Sequence, residues 1–204
     1  MAIKDPSDRF TLVVNLGGDR VETYYIDTEG YDLISSYHTR PGMGPRHMVF
    51  GPGGRHVYLM GELDSTVEVL AYDNAKGILR SISRVSSLPE GSESFTGNSG
   101  AAIKVTKLKN ELGKYNLYVS NRGHNSLSVY EIGDGGNLNF LQNIGTGGKN
   151  PRDFALSPDD RFILVGHQDS EDIVLFERLG DGRLLEGKKL KSRLDEIVCI
   201  IPID

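Results

Sequence analysis

Three arginines and one glutamate fall at two positions of a repeating block, Glu62 and Arg122 at one and Arg46 and Arg152 at the other, and their types set the chemistry. Arginine carries a planar fork of N–H donors that grips both oxygens of a carboxylate or phosphate. Three of them point to an anionic small molecule. Glu62 and a nearby histidine can move protons as a general acid–base pair. Such a set suits the opening or closing of a lactone ring. A base or bound water acts at the carbonyl while arginines stabilise the developing negative charge. On residue type and placement, Glu62, Arg46, Arg122 and His124 are the expected catalytic residues, and Arg152, His47, Gln168 and His167 the expected substrate contacts.

What superposes these residues is a block that recurs four times: a turn, a basic residue, a hydrophobic strand, a polar loop and a second strand. The basic residue is Arg9, Arg55, Lys114 or Arg161. The intervals are in the forties, except the second, which holds an insertion rich in Ser, Gly and Glu from Leu88 to Gly100. First strands are read at Phe10–Val14, Val57–Met60, Leu117–Val119 and Phe162–Val165. A Gly turn and a polar strand follow each second strand, and Arg46–Phe50, Ala101–Val105 and Arg152–Leu156 precede the later blocks. These are strand lengths with β-branched and aromatic residues. Four short antiparallel strands at such a period are the plan of a propeller blade. The fold class is therefore all-β, about four β-propeller blades in a single domain over 1–204, either a small closed propeller or, as we expect, the C-terminal part of a larger one whose N-terminal blades are missing. The first block shows no preceding strand, and Ile197–Ile201 reads as an extra apolar strand holding Cys199 as an inert core thiol.

Superposition aligns Leu16, Glu62, Arg122 and Gln168 just after the second strand of each blade, and Arg46 and Arg152, each after a proline, just before the innermost strand. In an up-and-down blade both loops open on one face, so these residues and His47, His124 and His167 are expected to share one mouth of the central channel. Convergent charge in a concave site is the default binding site. Arg9, Arg55 and Arg161 sit in turns and read as scaffolding between blades. Asp134, Asp159 and Asp160 read as turn residues rather than metal ligands, and no spacing suggests zinc. We expect no metal and no cofactor.

Composition narrows the class. A formal net charge of −5 argues against a nucleic-acid partner. The single cysteine suits a reducing compartment. The start shows no apolar run after a basic stretch, and no window is long and apolar enough to span a membrane. The expected setting is cytoplasmic, with an anionic small molecule as partner and the oligomeric state left open.

Three strings carry a family resemblance: Gly44-Pro45-Arg46-His47, the run from Leu117 to Ser126 through Ser120-Asn121-Arg122-Gly123-His124, and Asn150-Pro151-Arg152-Asp153-Phe154-Ala155-Leu156-Ser157-Pro158-Asp159. They resemble the lactonase seven-bladed propellers, the family of bacterial-type 6-phosphogluconolactonase and the fungal carboxymuconate cyclase. The resemblance implies a metal-independent site built on Arg46, Glu62 and Arg122, with Arg152 and His124 as neighbours. It implies hydrolysis of a phosphorylated sugar lactone. The alternatives are lactonising isomerisation of carboxy-cis,cis-muconate and a non-catalytic binding module or remnant. Absence of Trp stands against a WD-repeat scaffold.

Overall fold

A computed structural model describes residues 1–92, 96–191 and 196–202. The single domain expected over 1–204 is built as two compact units, Met1–Ser86 and Ser87–Asp204. Each unit holds two four-stranded antiparallel sheets whose strands follow one another in chain order, the blade plan read from the repeats.

In the first unit, β1 (Ala2–Lys4), β2 (Phe10–Asn15), β3 (Arg20–Ile26) and β4 (Tyr31–His38) form one blade. β5 (Pro45–Phe50), β6 (His56–Gly61), β7 (Thr66–Asp73) and β8 (Ile78–Ser86) form the next. Alternation in β2 buries Phe10, Leu12 and Val14, which join Val21, Met48, Val57, Leu59 and Leu70 in one core. In the second unit, β9 (Ser99–Val105), β10 (Tyr115–Arg122), β11 (Ser126–Ile132) and β12 (Leu138–Gly145) form the third blade. β13 (Pro151–Leu156), β14 (Phe162–His167), β15 (Asp172–Arg178) and β16 (Leu184–Lys191) form the fourth. Tyr118, Leu127, Val129, Phe154, Ile163, Val165, Val174 and Phe176 fill its core.

The recurring turn has a backbone cause. The residue before each basic one is left-handed: Asp8 (φ 59°), Gly54 (φ 69°), Gly113 (φ 74°) and Asp160 (φ 56°). Asp and Gly tolerate that region better than most residues. Asp160 is fully buried, and its carboxylate accepts the Leu108 N–H at 2.6 Å. Arg9 spans the first two sheets, with Nη1 3.5 Å from the carbonyl of Ala75. Arg9 and Arg161 also lie over the rings of the phenylalanines that follow them, Phe10 and Phe162.

Two expectations are corrected. The first block does have an inner strand: Ala2, Ile3 and Lys4 pair with Val13, Leu12 and Thr11. Three residues are too few to show a period of two, so the pattern was invisible. Residues 197–201 form no strand, and Cys199 is exposed. An apolar run becomes a strand only if a neighbour pairs with its backbone. Here Ile197 is instead buried, its side chain and that of Ile200 close over Gly166, and the Ile200 N–H donates to Asp153 at 3.0 Å.

Candidate functional site

The loops that carry the candidate residues are set by a second left-handed position, three or four residues after the end of the second strand of each blade. It is Asp19 (φ 46°), Ser65 (φ 55°), Asn125 (φ 56°) and Glu171 (φ 54°). In the first blade the Asp19 carbonyl accepts the Thr39 N–H at 2.9 Å, and its carboxylate accepts the N–H groups of Gly42 and Gly44, each at 2.8 Å. These two bonds hold the Asp19 carboxyl below its ordinary pKa. In the third blade the Asn125 carbonyl accepts the Thr146 N–H at 2.9 Å, and its side-chain oxygen accepts the Asn150 N–H at 2.8 Å. Each turn thereby clamps the segment that leads into the next inner strand, directly before Pro45-Arg46 and Pro151-Arg152.

Those two dipeptides are β-bulges. Pro45 pairs with Gly61 and His47 with Met60, so Arg46 is the extra residue. Pro151 pairs with His167 and Asp153 with Gly166, so Arg152 is the extra residue. A proline is tolerated at the first residue of a strand, and a bulge re-aims the side chain it carries. The chain then crosses back in the same way in both blades: the Glu62 N–H donates to Gly44 at 2.8 Å and the Gln168 N–H to Asn150 at 2.9 Å. Gly44 (φ 59°) has no room for a side chain, because a Cβ there would lie 2.5 Å from Leu63.

The result in the first unit is a contact between Arg46 and Glu62. Arg46 Nε lies 3.0 Å from Glu62 Oε2, with side chains 14% and 21% exposed. That leaves the pair reachable by a ligand yet partly shielded from water, where charges interact more strongly. Arg46 Nη1 lies 3.1 Å from His47 Nε2. A guanidinium can only donate, so this contact needs Nε2 as acceptor and the ring proton on Nδ1.

The second unit holds the other candidates in two groups. Arg152 Nη1 donates to Gln168 Oε1 at 3.0 Å. Arg122, at the end of β10, donates from Nη2 to the Ser99 hydroxyl at 2.6 Å and the Gly100 carbonyl at 3.2 Å. Beside it, His124 Nδ1 lies 2.8 Å from Ser126 Oγ. Gly123 (φ 88°) lets this segment approach the end of the insertion, since a Cβ there would meet the Gly97 carbonyl oxygen at 2.3 Å. The part of the Leu88–Gly100 insertion at Gly97–Gly100 therefore lies against Arg122–His124. Residues 93–95 of the insertion lie outside the described residues.

Two buried polar residues that sequence reasoning passed over brace the strands of this unit. Asn121 is fully buried; its amide donates to the Ser87 carbonyl at 2.8 Å and its oxygen accepts from Ser87 Oγ at 2.7 Å. A buried amide so satisfied fixes the strand end that presents Arg122. The signal available was an amide side chain inside a strand, where an apolar residue would ordinarily stand. Asp153 is also buried, 3.7 Å from Lys104 Nζ and bonded to the Ile200 N–H.

His167, expected among the substrate contacts, is fully buried, with Nδ1 3.0 Å from the Asp172 carbonyl. It braces its own turn rather than facing a ligand. Burial pushes its pKa below 6.5, partly offset by the Asp172 carbonyl. A histidine kept neutral in the fold but protonated when unfolded makes the unfolded chain bind the extra proton. Stability from this group is therefore present above about pH 6.5 and lost as pH falls from there toward the lowered native value. His56, also lowered by burial, adds in the same direction. Urea unfolding from pH 7 to 5 should show this slope, shallower in His167→Gln; an unchanged slope would remove His167 as its source.

Similarity to known proteins bears on the whole chain. The family model described as lactonase, 7-bladed beta-propeller, matches residues 1–202. An uncharacterised protein of Lactococcus lactis subsp. cremoris is 37% identical over 196 residues, covering 94% of this chain and 55% of that protein. The 6-phosphogluconolactonase of Bacillus subtilis is 37% identical over 175 residues, covering 85% of this chain and 48% of that enzyme. A solved structure from Lactobacillus plantarum superposes with a TM-score of 0.87 at 34% identity, covering 98% of this chain and 56% of that one. The chain thus spans about half the length of the curated relatives it matches. Among the described residues, no helix is long and apolar enough to cross a membrane.

Proposed function

Because the chain belongs to the lactonase seven-bladed β-propeller family, we propose that it serves hydrolysis of a phosphorylated sugar lactone of the 6-phosphogluconolactone type. The single observation that carries this reading is the half-buried Arg46–Glu62 pair with His47 against the arginine. The substrate class follows the name of the Bacillus subtilis relative. In this reading Glu62 takes a proton from water as the water oxygen bonds to the lactone carbonyl carbon. Arg46 donates N–H to the carbonyl oxygen as it becomes an oxyanion. The ring C–O bond then breaks, the ring oxygen leaves with the proton that Glu62 took, and the new carboxylic acid loses its own proton to solvent. His47, accepting from Arg46, orients the guanidinium.

The direct test is a pH-stat assay of this chain with freshly prepared 6-phosphogluconolactone, read as acid release above the spontaneous rate. Enzyme-dependent acid release is the expected result. A rate equal to the spontaneous one would overturn the proposal for this chain.

A further inference from the structure

The geometry points to Arg152 and Gln168 as an oxyanion-binding subsite, distinguished from the Arg46–Glu62 pair by one atom of the partner side chain. The two pairs are repeat equivalents. Each arginine is the bulged residue of an inner strand after a proline, and each partner follows the second strand with its N–H on the loop before that proline. The arginine–partner distance is 3.0 Å in both. What differs is charge. Glu62 neutralises Arg46, whereas Gln168 offers Arg152 an amide oxygen and no charge.

Among the described residues, that amide oxygen is the one side-chain acceptor Arg152 meets. The acids next to it are otherwise engaged: Asp153 with Lys104 and the Ile200 N–H, Asp169 with the Asn150 amide. A guanidinium has five N–H donors, and one neutral acceptor leaves most of its binding capacity and all of its charge to be met. The backbone would hold a glutamate at this position, as Glu62 demonstrates in the second blade. Keeping a glutamine there gives up a charge-assisted bond and preserves a half-buried positive charge, which suits a phosphate or carboxylate ligand. This inference rests on the function proposed above only for the anionic class of the ligand.

The test titrates the chain with inorganic phosphate and, separately, with malonate, followed by calorimetry. Each titration is repeated on Gln168→Glu, which copies the second-blade pair, and on Arg152→Gln, which carries the test should the first variant fail to unfold cooperatively. We expect one of the two anions to bind, and its affinity to fall about tenfold or more in both variants. Preference for phosphate assigns a phosphoryl group to the subsite, and preference for malonate a carboxylate. No binding of either anion, or binding unchanged in the folded variants, overturns the inference. Binding without lactone hydrolysis sinks the proposed reaction and leaves the subsite standing. Hydrolysis with anion affinity indifferent to Gln168→Glu does the reverse.

Discussion

Glu62→Gln is expected to lower lactone hydrolysis by about 10²–10⁴-fold, the usual worth of a positioned acid–base group, with the fold intact. The fourth blade supplies the reason to expect no loss of fold. Gln168 occupies the equivalent place, its amide oxygen 3.0 Å from Arg152 Nη1 and its N–H bonded to Asn150. A glutamine at residue 62 can therefore keep a hydrogen bond to Arg46 and the backbone bond to Gly44, and loses the ability to take a proton. The measurement is kcat/KM for 6-phosphogluconolactone beside a thermal unfolding curve. Native-like turnover would remove Glu62 from the chemistry. A fall in turnover matched by a large drop in Tm would make the residue structural.

The second large effect lies in the scaffold. Glu68 on β7 is 1% exposed and binds three partners: Tyr37 Oη on β4 at 3.0 Å, and Ser81 Oγ and Arg84 Nη2 on β8 at 2.9 Å each. Its carboxylate thus ties the outer strand of the first blade to the second. Burial, with Glu68 alongside, pushes the Tyr37 hydroxyl up to about 12, so at neutral pH it donates. Removing one partner of a buried ion pair leaves the other uncompensated, at a cost of about 3–5 kcal/mol. Glu68→Ala should show a loss in that range by urea unfolding, at its lower end because Arg84 can turn toward water. Glu68→Ala combined with Arg84→Ala should lose less than the two singles added together. A single-variant loss under about 1 kcal/mol would mean that solvent already screens the pair.

Two of the family strings, at Pro45-Arg46 and Pro151-Arg152, hold the bulged arginines of the inner strands. The Pro-Arg step supplies the extra residue, and the residue after the second strand meets it. That meeting brings Arg46 and Glu62 into one ion pair. His167 shows the opposite case. It aligns with the same loops, yet its ring is enclosed, with Gly148 against it and its Nδ1 on the Asp172 carbonyl.

Sequence alone determined the blades and the positions worth comparing. Period-two strands, left-handed turn residues and basic anchors are local signals, each set by a few adjacent residues and repeated four times. Tertiary structure alone decided three things: that Ala2–Lys4 is an inner strand, that residues 197–201 are not a strand, and which side chain each arginine meets. A strand exists only when another backbone pairs with it, and neither three residues nor an apolar run states its partner. Side-chain pairing depends on register, and one bulged residue turns every side chain beyond it to the other face. The charge on Arg46 and Arg152 is written in the sequence; that one faces a carboxylate and the other an amide is decided by that register.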